Sequence, residues 1–81
     1  AQYNIRCNSV HPGGIRTRML DDFIKTFESE EEALKTYTVG VPMGVVGEIS
    51  DISNMILFLA SDVSKWITGS EMLVDGGTTL V

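Results

Sequence analysis

The sequence predicts an α/β fold in which two short strands are joined by a parallel crossover, and three observations carry that expectation. A β-rich run at residues 4–11 stops at Pro12-Gly13-Gly14. A second short apolar run, Glu71 to Asp75, stops at Gly76-Gly77. About 60 residues rich in helical periodicity lie between them, and such a connection makes a βαβ unit of right-handed sense. Two parallel strands alone leave one edge and one face bare, so further strands are expected upstream.

Each element follows from local chemistry. Residues 4–11 combine β-branched and apolar side chains with few breakers, which fits a short, largely buried strand, and Ala1 to Tyr3 read as the tail of a preceding helix. From Thr17 to Val39 the residues Met19, Leu20, Phe23, Phe27, Ala33, Leu34 and Tyr37 recur at spacings of three and four, giving two short helices. Ser29 followed by Glu32 matches a capping box and marks the start of the second. The run Glu30, Glu31, Glu32 is then a solvated first turn near the positive helix end, not a metal site. GVPMGVVG at 40–47 holds three glycines and a proline and reads as a loop. The next stretch places Ile49, Ile52, Ile56 and Leu59 on one face of an amphipathic helix, with Met55 beside them. Residues 62–69 turn the chain back into the last strand.

Composition limits the class. Hydrophobic residues make up 43% and charged residues 21%, as in an ordinary folded protein. The net charge of −5 argues against nucleic acid or an anionic membrane as the main partner. One cysteine, Cys7, allows no internal disulfide, fits a reducing cytoplasm and is expected to pack as a small apolar side chain. No apolar run approaches the ~20 residues of a membrane span, and the opening AQYNIRCNSV has neither an initiator Met nor a signal core. The expectation is a cytoplasmic chain that is a piece of something longer.

The segments IRCNSVHPGGIRT, PMGVVGEISDISNMILFLASD and ITGSEMLVDGG, with PGxxxT, FLASD, ITG and VDGG in this order, resemble the C-terminal third of the short-chain dehydrogenase/reductases, in particular bacterial alcohol and hydroxysteroid-type members. The resemblance implies the C-terminal βαβ portion of a doubly wound parallel-sheet, NAD(P)-binding Rossmann fold. It divides the chain into a strand and PG turn (1–16), a substrate lid and loop (17–47), and a helix and last strand (48–81). It also implies a parent enzyme that interconverts a secondary alcohol and a ketone using NAD or NADP. Pro12, Gly13, Ile15 and Thr17 then fall in the cofactor turn. Pro12 ends the strand ladder, the glycines leave room for a planar ring, the Ile15 main chain bonds the nicotinamide carboxamide, and the Thr17 hydroxyl helps hold the carboxamide or the diphosphate. Thr17 is equally readable as a helix N-cap, and the two uses are compatible. Met19, Leu20 and Phe23 line the lid, suited to a small hydrophobic alcohol or ketone. The last helix and strand imply a subunit interface, most simply of a homotetramer.

No catalytic residue is assigned. The Ser, Tyr and Lys that the resemblance calls for are absent, since Tyr3 is followed four residues later by Cys7 and Tyr37 by Val41. His11 and Asn8 read as hydrogen-bonded structural residues, Asn8 satisfied locally, and Trp66 as a packing residue. Two alternatives stay open: a 3-oxoacyl-carrier-protein reductase, which calls for a basic patch that the scattered cations do not supply, and a non-catalytic oligomerisation module.

Overall fold

The computed structural model describes residues 1–80. Strand β1 (Ser9–Pro12) is followed by helices α1 (Arg18–Ile24), α2 (Glu30–Tyr37) and α3 (Ile49–Ala60), a 3-10 turn at Asp62–Ser64, strand β2 (Glu71–Val74) and a second 3-10 turn at Thr78–Leu80. The two strands pair in parallel, with Ser9 opposite Glu71 and Pro12 opposite Val74. The parallel crossover read from the sequence is therefore present.

The element boundaries differ from expectation where side chains replace the ladder. β1 begins at Ser9 rather than at residue 4. Upstream of it, Arg6 donates to the carbonyls of Leu59 (2.7 Å) and Ile67 (3.0 Å), and Cys7 N–H donates to Thr68 Oγ1. Asn8 donates to Ile67 O and accepts from Ser70 N–H, so its partners lie about 60 residues away rather than locally. Ala1 to Asn4 form a turn closed by Asn4 N–H on Ala1 O, not a helix tail. Pro12 does not end the pairing either, because Gly13 N–H still reaches Val74 O at 3.0 Å.

The helices start where local chemistry says they should. Ser29 Oγ accepts from Glu32 N–H at 3.1 Å and opens α2. At α3, Glu48 N–H donates to Asp51 Oδ2 at 2.7 Å. α3 packs on both strands, and its half-buried residues are Ile52, Met55 and Leu59, whereas Ile49 and Ile56 of the expected inward face are exposed.

The fully buried apolar side chains are Leu20 and Ala33, both on the α1–α2 excursion. Two packing expectations fail. Cys7 is exposed, and Trp66 is 96% exposed, because the polypeptide of this chain brings nothing over either. The accessible surface is 6303 Å². A compact monomer of this size exposes only about 4,800 Å².

Candidate functional site

The site grows from the turn after β1, at the carboxyl ends of both strands. A Cβ on Gly13 would lie 2.7 Å from Asp75 Cα, and one on Gly14 would lie 2.6 Å from Tyr37 Cε1. Both glycines are thus required, but by close approach of β2 and of α2. The positions that side chains on these glycines would occupy are filled by Asp75 and by the Tyr37 ring.

Beyond the glycines the chain makes one isolated parallel bridge between Ile15 and Gly47. Gly47 N–H donates to Gly14 O (2.9 Å) and Arg16 N–H to Gly47 O (2.8 Å). In such a bridge the middle residue turns its own amide away from the partner. The N–H and C=O of Ile15 accordingly make no hydrogen bond among the described residues. Thr17 occupies the N-cap position of α1 with an extended backbone, φ −123° and ψ 176°, yet its hydroxyl does not cap the helix and is exposed. Two main-chain groups and a hydroxyl therefore stand free within three residues of one another. Their donor and acceptor character fits the carboxamide edge of a nicotinamide.

Beside this turn lies a largely apolar cavity of about 280 Å³, lined by Gly14, Ile15, Val41, Met43, Val74 and Gly76 and also by Asp51 and Asp75. None of the described residues lining it belongs to α1 or α2. Met19 is 82% exposed, Leu20 only 3% and Phe23 37%. The three residues expected on one lid face are therefore not brought together: Leu20 packs the excursion internally and only Met19 is fully presented. Phe23 belongs to a ring cluster, 5.1 Å from Phe27 and 5.7 Å from Tyr37 between centroids.

Electrostatics add two groups that the sequence reading did not single out. The Arg16 guanidinium is held above its ordinary pKa by hydrogen bonds to Glu30 and Asp21. For Asp75, desolvation pushes the carboxyl upward but is outweighed by hydrogen bonds from Gly77, from Thr79 and from its own backbone, so it ends below the usual value. The Arg16–Glu30 pair has no sequence signal beyond the residue types, since its members are fourteen positions apart, whereas the Asp75 contacts are local, to residues two and four positions on. Among the described residues no three His, Cys, Asp or Glu side chains gather as a metal site, and no helix is long and apolar enough to cross a membrane.

A parallel pair with helices in its crossover and a glycine turn at its carboxyl rim is an arrangement of the doubly wound α/β class. The protein family described as enoyl-(acyl carrier protein) reductase matches residues 1–79. The chain belongs to this family, within the short-chain dehydrogenase/reductases. It is 46% identical over 77 residues to an NADP-dependent (R)-specific alcohol dehydrogenase of Lentilactobacillus kefiri, covering 95% of this chain and 29% of the relative. An L-rhamnose 1-dehydrogenase (NAD(P)(+)) of Azotobacter vinelandii is 45% identical over 75 residues, 93% of this chain and 28% of the relative. Among solved structures, a short chain dehydrogenase family protein from Francisella tularensis superposes with a TM-score of 0.84 at 30% identity, over 99% of this chain and 35% of that one. The chain thus spans about three tenths of the length of the curated relatives it matches.

Proposed function

We propose that these residues are the C-terminal third of an NAD(P)-dependent oxidoreductase that interconverts a secondary alcohol and a ketone. The observation that carries the reading is the free Ile15 N–H and C=O beside the uncommitted Thr17 hydroxyl, at the rim where ligands of open α/β sheets bind. The names of the relatives, an NADP-dependent alcohol dehydrogenase and a rhamnose dehydrogenase using either nicotinamide cofactor, support it.

A bound nicotinamide would accept or deliver the hydride. The roles of this chain are to bind and to orient. Ile15 holds the carboxamide through its main chain, Thr17 adds a hydroxyl contact, and Pro12 and Gly13 set the bend that aims both. Residues 17–47 form the lid and loop, where Met19 and Phe23 meet an apolar substrate and Leu20 holds the excursion together. Residues 48–81 supply the helix and last strand, whose exposed Ile49, Ile56 and Leu57 suit a subunit contact in a homotetramer. We place the protein in the cytoplasm, in keeping with its acidic balance and single thiol.

The test uses the complete enzyme. Wild-type protein should bind NADH or NADPH, seen as a change in nicotinamide fluorescence. Thr17→Val should lower kcat/KM roughly 2- to 12-fold, the equivalent of one hydrogen bond of about 0.5–1.5 kcal/mol, with little change in Tm. Wild-type kinetics in that variant with both cofactors would remove Thr17 from the site.

A further inference from the structure

Arg16 sits between the two residues given to the nicotinamide edge, but its side chain serves a different purpose. Its Nε donates to Asp21 Oδ1 on α1 at 2.8 Å, and its Nη2 to Glu30 Oε1 at the start of α2, also at 2.8 Å. Its own N–H is fixed on Gly47 O at 2.8 Å. One residue thus joins the turn, both helices of the excursion and the loop that leads into α3. We propose that Arg16 is a positioning residue that latches α1 and α2 to the cofactor turn, so that lid and nicotinamide contacts move together. The proposal rests on the lid and cofactor roles given above.

The chemistry favours arginine for this task. A planar guanidinium offers separate N–H edges to two carboxylates at once, whereas an ammonium is a point charge that would satisfy one well and the other poorly. Single exposed ion pairs contribute little, because two long side chains must be ordered and salt screens them. Here the backbone of Arg16 is already fixed by Gly47, which lowers the ordering cost, and the two acceptors come from different helices. The latch is also distinct from what keeps the excursion folded. The excursion has its own buried apolar residues, Leu20 and Ala33, and Tyr37 lies against Gly14. Loss of the latch should therefore loosen the lid without unfolding it, and a binding-competent state that is less populated weakens apparent affinity in proportion.

The test compares complete wild-type enzyme with Arg16→Met, Arg16→Lys and the pair Asp21→Asn/Glu30→Gln. Amide hydrogen exchange should quicken about 3- to 10-fold over residues 18–37 in the Met and paired variants, less in the Lys variant, and stay unchanged in β2. The dissociation constant for NADPH or NADH, read by nicotinamide fluorescence, should rise by a similar factor. Raising NaCl from roughly 0.05 to 0.5 M should loosen the wild-type lid but not the Met variant. Unchanged exchange over 18–37, or an equal quickening throughout the protein, would overturn the latch. Should Arg16→Met fail to fold, the paired variant carries the test, since both its positions are on half-exposed or exposed helix surface. A wild-type enzyme that binds neither cofactor defeats the proposed function instead, and the exchange data still decide the latch.

Discussion

Gly13 and Gly14 look alike in the sequence but are required by different neighbours, and they should fail differently. A methyl on Gly13 meets the backbone of Asp75, which cannot move without breaking the Gly13–Val74 contact between strands. Gly13→Ala should therefore cost about 1–3 kcal/mol, the usual range for overpacking, measurable by urea unfolding of the complete enzyme. A methyl on Gly14 meets only the Tyr37 ring, so Gly14→Ala should displace Tyr37 and disturb the Phe23–Phe27–Tyr37 cluster, seen as altered aromatic near-UV dichroism with a smaller loss of stability. Asp75 adds a pH signature. Its folded carboxyl lies below the ordinary value, so its contribution is complete above about pH 4 and is lost as pH falls through the lower folded value. The stability gap between wild type and Asp75→Asn should accordingly be constant from pH 5 upward and close in acid, as a urea midpoint followed against pH would show. That a glycine was needed at 13 and 14 could be read from the residues alone. What needed it could not, because Tyr37 and Asp75 are distant in sequence and their approach is set by tertiary packing.

At the scale of elements, whatever depends on a few neighbouring residues was legible. The Ser29 cap, the start of α3 after Glu48 and the end of β2 at the double glycine all fell within a residue or two of expectation. The stretch 4–8 reads as strand only as the start of the run 4–11, while the bonds that hold it run from Arg6, Cys7 and Asn8 to the returning residues 59–70. The lid stripe failed for a related reason: spacing put Met19, Leu20 and Phe23 together, but a helix of seven residues turns Leu20 inward while Met19 faces out. The α3 start makes its own prediction. Asp51 accepts the Glu48 N–H and adds negative charge to the first turn, so Asp51→Ala should cost about 1 kcal/mol of stability and fray the first turn of α3, visible as faster exchange at residues 50–53.

For the whole molecule the decisive quantity is unburied surface. The 6303 Å² exposed exceeds a compact monomer of this length by about 1,500 Å², and the radius of gyration of 15.8 Å stands against about 12 Å. Large apolar side chains are part of it, since Ile5, Val63, Trp66, Leu73 and much of α3 lie open, while among the described residues the buried apolar side chains are Leu20 and Ala33. Ordering a chain costs roughly 1–2 kcal/mol per residue in backbone entropy, and a core of that size cannot offset it. The fold described here is therefore expected to depend on polypeptide that covers the open sheet face and α3. Expressed alone, the 81 residues should bind a hydrophobic dye, show weak near-UV dichroism and lack a cooperative urea transition. Supplied with the remainder of the proposed parent enzyme, in one chain or as a complementing fragment, they should lose dye binding and gain that transition, while Trp66 fluorescence shifts to shorter wavelength as its ring leaves water. A sharp, two-state unfolding curve from the isolated chain would show instead that Leu20, Ala33 and the two-stranded pairing suffice without further polypeptide.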